Sequence, residues 1–495
     1  MTIDKEIKSE TRGLAVGRPG QGTFVQVGLG QVALPEPARR RRSWLGWLDS
    51  ADAAGLDEDG IVARRIARPV MLVLLVALPL VFLGYGLTGW LRGWALGVDS
   101  SVYRAGAVLL LHGHSPYKVS DLGYLHLSFT YPPAAALLFT PLAALPAQLA
   151  WAVMASASVL ALALVIRVAV AAVPYWPFPA GWSTLLLTVA MLGLVPVWRT
   201  IGLGQVNILL MAMVAVDVLA VTARGSRWGG LGVGVAAAVK LVPLIFIAHL
   251  FLTGKRAAAA RALAVFAGLQ GLTLVIAPQD SAYWTSDVFQ TGRIGPAQQP
   301  YNQSLDGLMT RVTGAAPWSA HAAWVIGAVL AVPALMLVLR YHRRGHDVSA
   351  LCVTACFGLL LAPVSWLPCW VWIAPVVVAL SSWLQATWRG AGQRRAARWQ
   401  RWAGVGAVIG VTAVFTSTYS VPVSQQPHRT LGSFWFFVLS NPYVLTTIVI
   451  ALVLGAAALR RDDQLDDPWS SGQFPAVEQN NCVGDRLAHQ GGPAS

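Results

Sequence analysis

The sequence predicts an all-α, polytopic integral membrane protein, and three observations carry that expectation. Of its 495 residues, 56% are hydrophobic and 12% charged. Apolar runs close to the ~20 residues a spanning helix needs recur from residue 70 to residue 459. The net charge of +14 is gathered into six separated basic clusters: Arg39 to Arg42 with Arg64, Arg65 and Arg68; Arg224 and Arg227; Lys255, Arg256 and Arg261; Arg340, Arg343 and Arg344; Arg389 to Arg401; Arg460 and Arg461.

Basic loops stay on the cytoplasmic side, so an even number of crossings must separate each cluster from the next. About twelve helices meet that condition, at 69–90, 147–171, 181–198, 205–223, 229–240, 242–253, 260–277, 322–340, 348–363, 369–387, 403–418 and 441–459. Both termini then lie in the cytoplasm. Pro132, Pro133, Pro141 and Pro146 interrupt 131–146, which reads as a re-entrant or interfacial piece on the outer face. The run 229–253 is long enough for one straight crossing, yet both its flanks are basic. It is expected to form a short hairpin broken near Lys240 and Pro243, an irregularity tolerated at membrane depth where it is buried in protein or lines a cavity.

The ends differ in kind. Residues 1–65 and 461–495 lack apolar periodicity and read as disordered cytoplasmic tails around a membrane domain at 66–460. The first apolar run lies too far from Met1 to be a cleaved signal peptide. The four cysteines, Cys352, Cys356, Cys369 and Cys482, have no paired metal-ligand spacing, so neither a zinc site nor a disulfide framework is expected. No internal repeat is evident, which argues against the symmetric halves of many secondary transporters.

With this topology the remaining polar segments emerge on the extracytoplasmic side. Asp99 stands out among them. No glutamate occurs between Glu58 and Glu478, and an acid kept this close to a membrane exit must face water, a partner or a substrate, unless it only caps an interfacial helix ahead of Ser100. Asp280, Asp287 and Asp306 are rival acids in the second large outer loop.

In order along the chain stand Asp99 with Val102-Tyr103, Gly113-His114-Ser115-Pro116-Tyr117, Tyr131-Pro132-Pro133, Gly204-Gln205-Val206-Asn207, Lys240-Leu241-Val242-Pro243, Asn302-Gln303-Ser304 and Pro363-Val364-Ser365-Trp366. Over about residues 70–455 this series resembles the polyprenol-phosphate-mannose-dependent α-(1→2)-mannosyltransferases of the C-type (GT-C) glycosyltransferase superfamily. The resemblance implies a GT-C type fold and a lipid-phosphate sugar donor used at the outer face. It implies transfer with inversion to mannosylated lipids or lipoglycans, with the first outer-loop acid, Asp99, as catalytic base. One departure concerns Ser365-Trp366-Leu367-Pro368-Cys369-Trp370-Val371-Trp372, where the family usually carries a histidine pair ahead of Trp-Val-Trp.

Such a transfer needs a carboxylate to take the acceptor hydroxyl's proton and positive charge to hold the leaving phosphate. Arg104, His114, Arg199, Lys240 and Arg293 are the cations available for the second task. Lys240 is best placed, because an ammonium in an apolar hairpin must find an anion or a polar cavity, or else snorkel to the interface. Tyr103, Tyr117, Gln205, Asn207, Asn302, Gln303, Ser304 and Trp366 are the candidate contacts to donor or acceptor. No cofactor or metal is expected. The expected partners are the polyprenyl-phosphate-linked donor, a glycolipid or lipoglycan acceptor and plasma-membrane lipids, with no nucleic acid. Arabinosyl transfer from a polyprenyl-phosphate donor, a non-catalytic paralogue and a lipid or solute transporter are the competing readings.

Overall fold

The computed structural model describes residues 76–174, 176, 178–389, 396–417 and 433–460. Both tails expected to be disordered lie outside the described residues, as does most of the outer loop at 419–440. The described chain is helical, and its extended pairings are two isolated bridges, Leu122 with Leu127 and Asn302 with Trp366.

Among the described residues helix occupies most of each segment expected to cross, but fewer than twelve helices have the length of a span. Among the described residues five are long and apolar enough: Ala147–Ala172, Asn207–Arg224, Arg256–Ile276, Ser319–Arg343 and Leu367–Gln385. Two bent pairs raise the number to seven if each is one span. Ala180–Met191 and Val195–Leu203 meet at 76°, and Phe434–Ser440 and Pro442–Leu452 meet at 87°. The first bend falls where the sequence reading had one straight helix over 181–198. Pro196 has no N–H to give a preceding turn, so it opens a new helix instead of continuing the old one. Val76–Leu91, Val242–Leu252, Asp347–Leu361 and Gly404–Thr416 are shorter apolar helices.

Helices Ala147–Ala172 and Leu367–Gln385 are the most enclosed of the five, with 67% of the most apolar window of each buried. Arg256–Ile276 and Ser319–Arg343, at 22% each, present most of their apolar surface outward. The proline-rich stretch after Tyr131 forms two short helices, Pro133–Leu138 and Thr140–Ala143.

The run 229–253 breaks at Lys240. Helix Leu231–Val239 ends there in extended backbone (φ −146°, ψ 136°), and Val242–Leu244 forms a 3₁₀ turn leading into Ile245–Leu252. The other end of Leu231–Val239 is held by Asp217, an acid the sequence reading did not single out. Its carboxylate accepts from Thr222 Oγ1 at 2.8 Å and from the backbone N–H groups of Gly230 at 2.8 Å and Val233 at 3.0 Å. A carboxylate on the free N–H groups of a helix start satisfies donors that have no intrahelical partner. The helix that delivers Lys240 is thereby anchored at its far end.

Candidate active site

Asp99 lies in the first turn of helix Val98–Leu111, which is not among the candidate spans. Gly97 starts that helix in the left-handed region (φ +70°), where a Cβ would come within 2.6 Å of Ser100 and Trp151. Gly204 closes helix Val195–Leu203 in the same conformation (φ +69°), and a Cβ there would lie 2.5 Å from Ser100 Oγ. Two glycines thus bring the start of the Asp99 helix against the turn that carries Gln205. Trp151 fixes this turn by donating its indole N–H to the carbonyls of Ile201 and Gly202 at 3.0 and 3.1 Å.

Four side chains from three distant segments then form one chain of polar contacts. Lys240 Nζ donates to Asn207 Oδ1 at 2.9 Å. Asn207 Nδ2 donates to Gln205 Oε1 at 2.5 Å and to the Pro368 carbonyl at 3.1 Å. The remaining amide of Gln205 serves the Asp99 carboxylate. Burial raises the Asp99 carboxyl to about 6, against the opposing pull of the Gln205 hydrogen bond and the Lys240 charge. Lys240 also lies 3.5 Å from Cys369 Sγ and 5.7 Å from the centre of the Tyr131 ring.

This chain borders a cavity of about 260 Å³ lined by Asp99, Tyr103, Tyr117, Gln205, Lys240 and Trp366, among others. Tyr103, one helical turn beyond Asp99, stacks on Phe139 at 4.4 Å and shares a 2.8 Å hydroxyl contact with Tyr131. Tyr117 donates its hydroxyl to the Tyr131 carbonyl at 2.6 Å. Lys240 and Cys369 also border an adjoining pocket of about 40 Å³, which Asn207 lines with Leu210, Phe246 and Trp372. The arrangement sets a carboxylate with a raised proton affinity and an ammonium on one enclosed space, which suits proton abstraction beside a bound anion.

Six residues expected at the site line neither the cavity nor the adjoining pocket. Arg104 turns its guanidinium to the Leu145 carbonyl at 2.5 Å. His114 is exposed on the turn that follows the Asp99 helix, so its imidazole does not stand in for the histidines missing near Cys369. Arg199 is held over the rings of Trp198 and Tyr301. Asn302, Gln303 and Ser304 are fully buried and committed to backbone. Asn302 accepts from Ser365 N, and its amide donates to the carbonyls of Ala297 and Pro363; Ser304 Oγ donates to the same Pro363 carbonyl. Gln303 donates to the carbonyls of Pro300 and Ser440 and accepts from Tyr443 N. These three join the segments around residues 300, 363 and 440 to one another.

The rival acids separate on position. Asp280 is buried beside Ser115 and Lys118, outside the cavity lining, and burial raises its carboxyl. Asp306 sits in the first turn of helix Leu305–Val312. Asp287 borders the cavity but is paired with Arg293 at 2.8 Å. Tyr131, Cys369 and Tyr283 border the cavity without having been expected there as contacts. Tyr131 stood in a quoted motif, and Cys369 at the noted departure; Tyr283 carried no sequence signal.

Three comparisons bear on this site. The model of glycosyltransferase family 87 matches residues 129–363. A polyprenol-phosphate-mannose-dependent α-(1-2)-phosphatidylinositol mannoside mannosyltransferase of Mycobacterium tuberculosis is 31% identical over 427 residues, covering 81% of this chain and 94% of that protein. The protein of the same description from Mycolicibacterium smegmatis is 30% identical, covering 74% of this chain and 87% of the relative. Among solved structures, ArnT from Cupriavidus metallidurans bound to undecaprenyl phosphate is a distant likeness, with a TM-score of 0.34 and 13% identity over 79% of this chain and 78% of that one.

Proposed function

The chain belongs to glycosyltransferase family 87 and is a membrane-embedded mannosyltransferase, and from that premise we propose that it moves mannose from a polyprenyl-phosphate-mannose donor to a mannosylated lipid or lipoglycan, forming an α-(1→2) linkage at the extracytoplasmic face. The observation that carries the reading is the polar chain from Asp99 through Gln205 and Asn207 to Lys240 along one cavity.

Asp99 takes the proton of the acceptor hydroxyl as its oxygen attacks the anomeric carbon. The bond from that carbon to the phosphate oxygen breaks, and the transition state has oxocarbenium character, as in glycoside hydrolysis. The leaving phosphate is already a stable anion, so it needs a cation and not an acid, and Lys240 supplies one. A carboxyl near 6 is mostly ionised at neutral pH and is a stronger base than a solvated carboxylate. Attack and departure on opposite faces invert the anomeric carbon. The side follows from the basic clusters: loops rich in Arg and Lys stay in the cytoplasm, and this cavity lies among segments that carry none of those clusters.

The test is transfer by the purified full-length protein in detergent, with polyprenyl-phosphate-mannose as donor and a phosphatidylinositol mannoside as acceptor. A product heavier by one hexose and sensitive to an α-(1→2)-specific mannosidase is expected. Pentose transfer from the corresponding arabinose donor, with none from the mannose donor, overturns the reading.

A further inference from the structure

One wall of the cavity comes from segments that connect the longer helices. Tyr117 follows the turn after the Asp99 helix, and Tyr283, Asp287 and Arg293 lie between Arg256–Ile276 and Leu305–Val312. Arg293 is not a free cation there. One of its terminal nitrogens pairs with Asp287 at 2.8 Å, the other donates to the Tyr117 carbonyl at 2.9 Å, and its guanidinium carbon lies 5.9 Å from the centre of the Tyr117 ring. The rings of Tyr117 and Tyr283 stand 5.2 Å apart. Asp287 and Arg293 keep 17% and 19% of their side-chain surface open, so the pair is fixed without being sealed off.

A charge-neutral pair has little to offer a second anion. What it offers is a carboxylate edge and guanidinium N–H groups in set directions beside two tyrosine rings. That combination accepts and donates hydrogen bonds to vicinal hydroxyls while an aromatic face covers the C–H side of a ring. Lys240, by contrast, sits between two apolar helices, Leu231–Val239 and Ile245–Leu252. We propose that Tyr117, Tyr283, Asp287 and Arg293 form the subsite for the acceptor's terminal sugar, with Asp287 binding hydroxyls and not acting as base. This assignment rests on the mannosyltransferase reading above, with donor and acceptor entering by different walls.

The experiment measures KM separately for donor and acceptor in the purified full-length protein and in Asp287→Asn, Tyr283→Ala and Tyr283→Phe, with polyprenyl phosphate binding followed in each. Asp287→Asn and Tyr283→Ala are expected to raise the acceptor KM by about tenfold or more, the scale of one lost charged hydrogen bond or aromatic contact. The donor KM and polyprenyl phosphate binding should stay at wild-type values. Tyr283→Phe, which keeps the ring, should recover most of the acceptor affinity lost in Tyr283→Ala. An unchanged acceptor KM in a wild-type enzyme that does transfer mannose overturns the subsite alone. A parallel rise in donor KM, or loss of polyprenyl phosphate binding, overturns it as well. Failure of the wild-type protein to transfer mannose overturns the mannosyltransferase reading, and the subsite with it.

Discussion

Lys240 donates to Asn207 across 2.9 Å, and that contact sets the direction of every hydrogen bond between it and Asp99. An ammonium can only donate, so Asn207 must turn its oxygen to Lys240 and its nitrogen to Gln205. Gln205 must then turn its own nitrogen to Asp99, whose ionised form accepts. Two amides, whose orientation is ambiguous in isolation, are oriented by the residues at the ends of the chain.

Replacing Asp99 by Asn should lower turnover by about 10²–10⁴-fold, the usual contribution of a positioned general base. Polyprenyl phosphate binding should persist. Retained turnover in this variant would remove Asp99 from the role.

The same residue sets an expected pH profile. Because its carboxyl is raised to about 6, the base form predominates above that pH and is lost as the pH falls through it. The kcat/KM for acceptor should therefore decline below about pH 6 in the wild type. A profile that stays flat down to pH 4.5 would contradict it.

Lys240→Met should weaken use of the lipid-phosphate donor while leaving insertion intact, since the helices on either side of the break are apolar. Lys240→Arg keeps the charge but moves it, and intermediate activity is expected. Donor affinity in the Met variant equal to the wild type would make Lys240 an interfacial anchor.

Gly204→Ala would place a methyl 2.5 Å from Ser100 Oγ at a positive φ, so it should cost about 1–3 kcal/mol and displace Gln205 from Asp99. Melting in detergent and turnover should both fall. Gly202→Ala, two residues earlier, meets nothing within 4 Å and should leave both unchanged.

Topology can be read by labelling single cysteines in a background with the four native ones replaced. His112→Cys and Gln290→Cys, at exposed positions, should react with an impermeant thiol reagent from outside, and Ser226→Cys and Arg344→Cys only after permeabilisation. Outside labelling at 226 would mean that the broken run at 229–253 crosses once.

How much of this was legible in the sequence depends on distance along the chain. Asp99, Gln205, Asn207 and Lys240 could each be singled out, by an isolated acid or a short motif. Their union could not, because Lys240 lies 33 residues from Asn207, and Asn207 lies 161 from Pro368. The broken run at Lys240 was visible because Pro243 and the basic flanks act locally. The bend before Val195 was not expected, although Pro196 was there to be read. Arg104 and His114 were misplaced because charge in an outer loop does not tell which way a side chain turns. A polar triplet such as Asn302-Gln303-Ser304 reads the same whether its groups meet a sugar or a backbone carbonyl, and here they meet the backbone.

That last fact bears on which positions tolerate change. Their partners are the backbone carbonyls of Pro363 and Ser440 and the backbone N–H of Tyr443, so the hydrogen bonds themselves do not depend on the side chains at those three positions. The donors and acceptors at 302, 303 and 304 have no such freedom. Intolerance to substitution at these three positions would therefore be easily mistaken for ligand binding, although the side chains are buried in the joint between connecting segments.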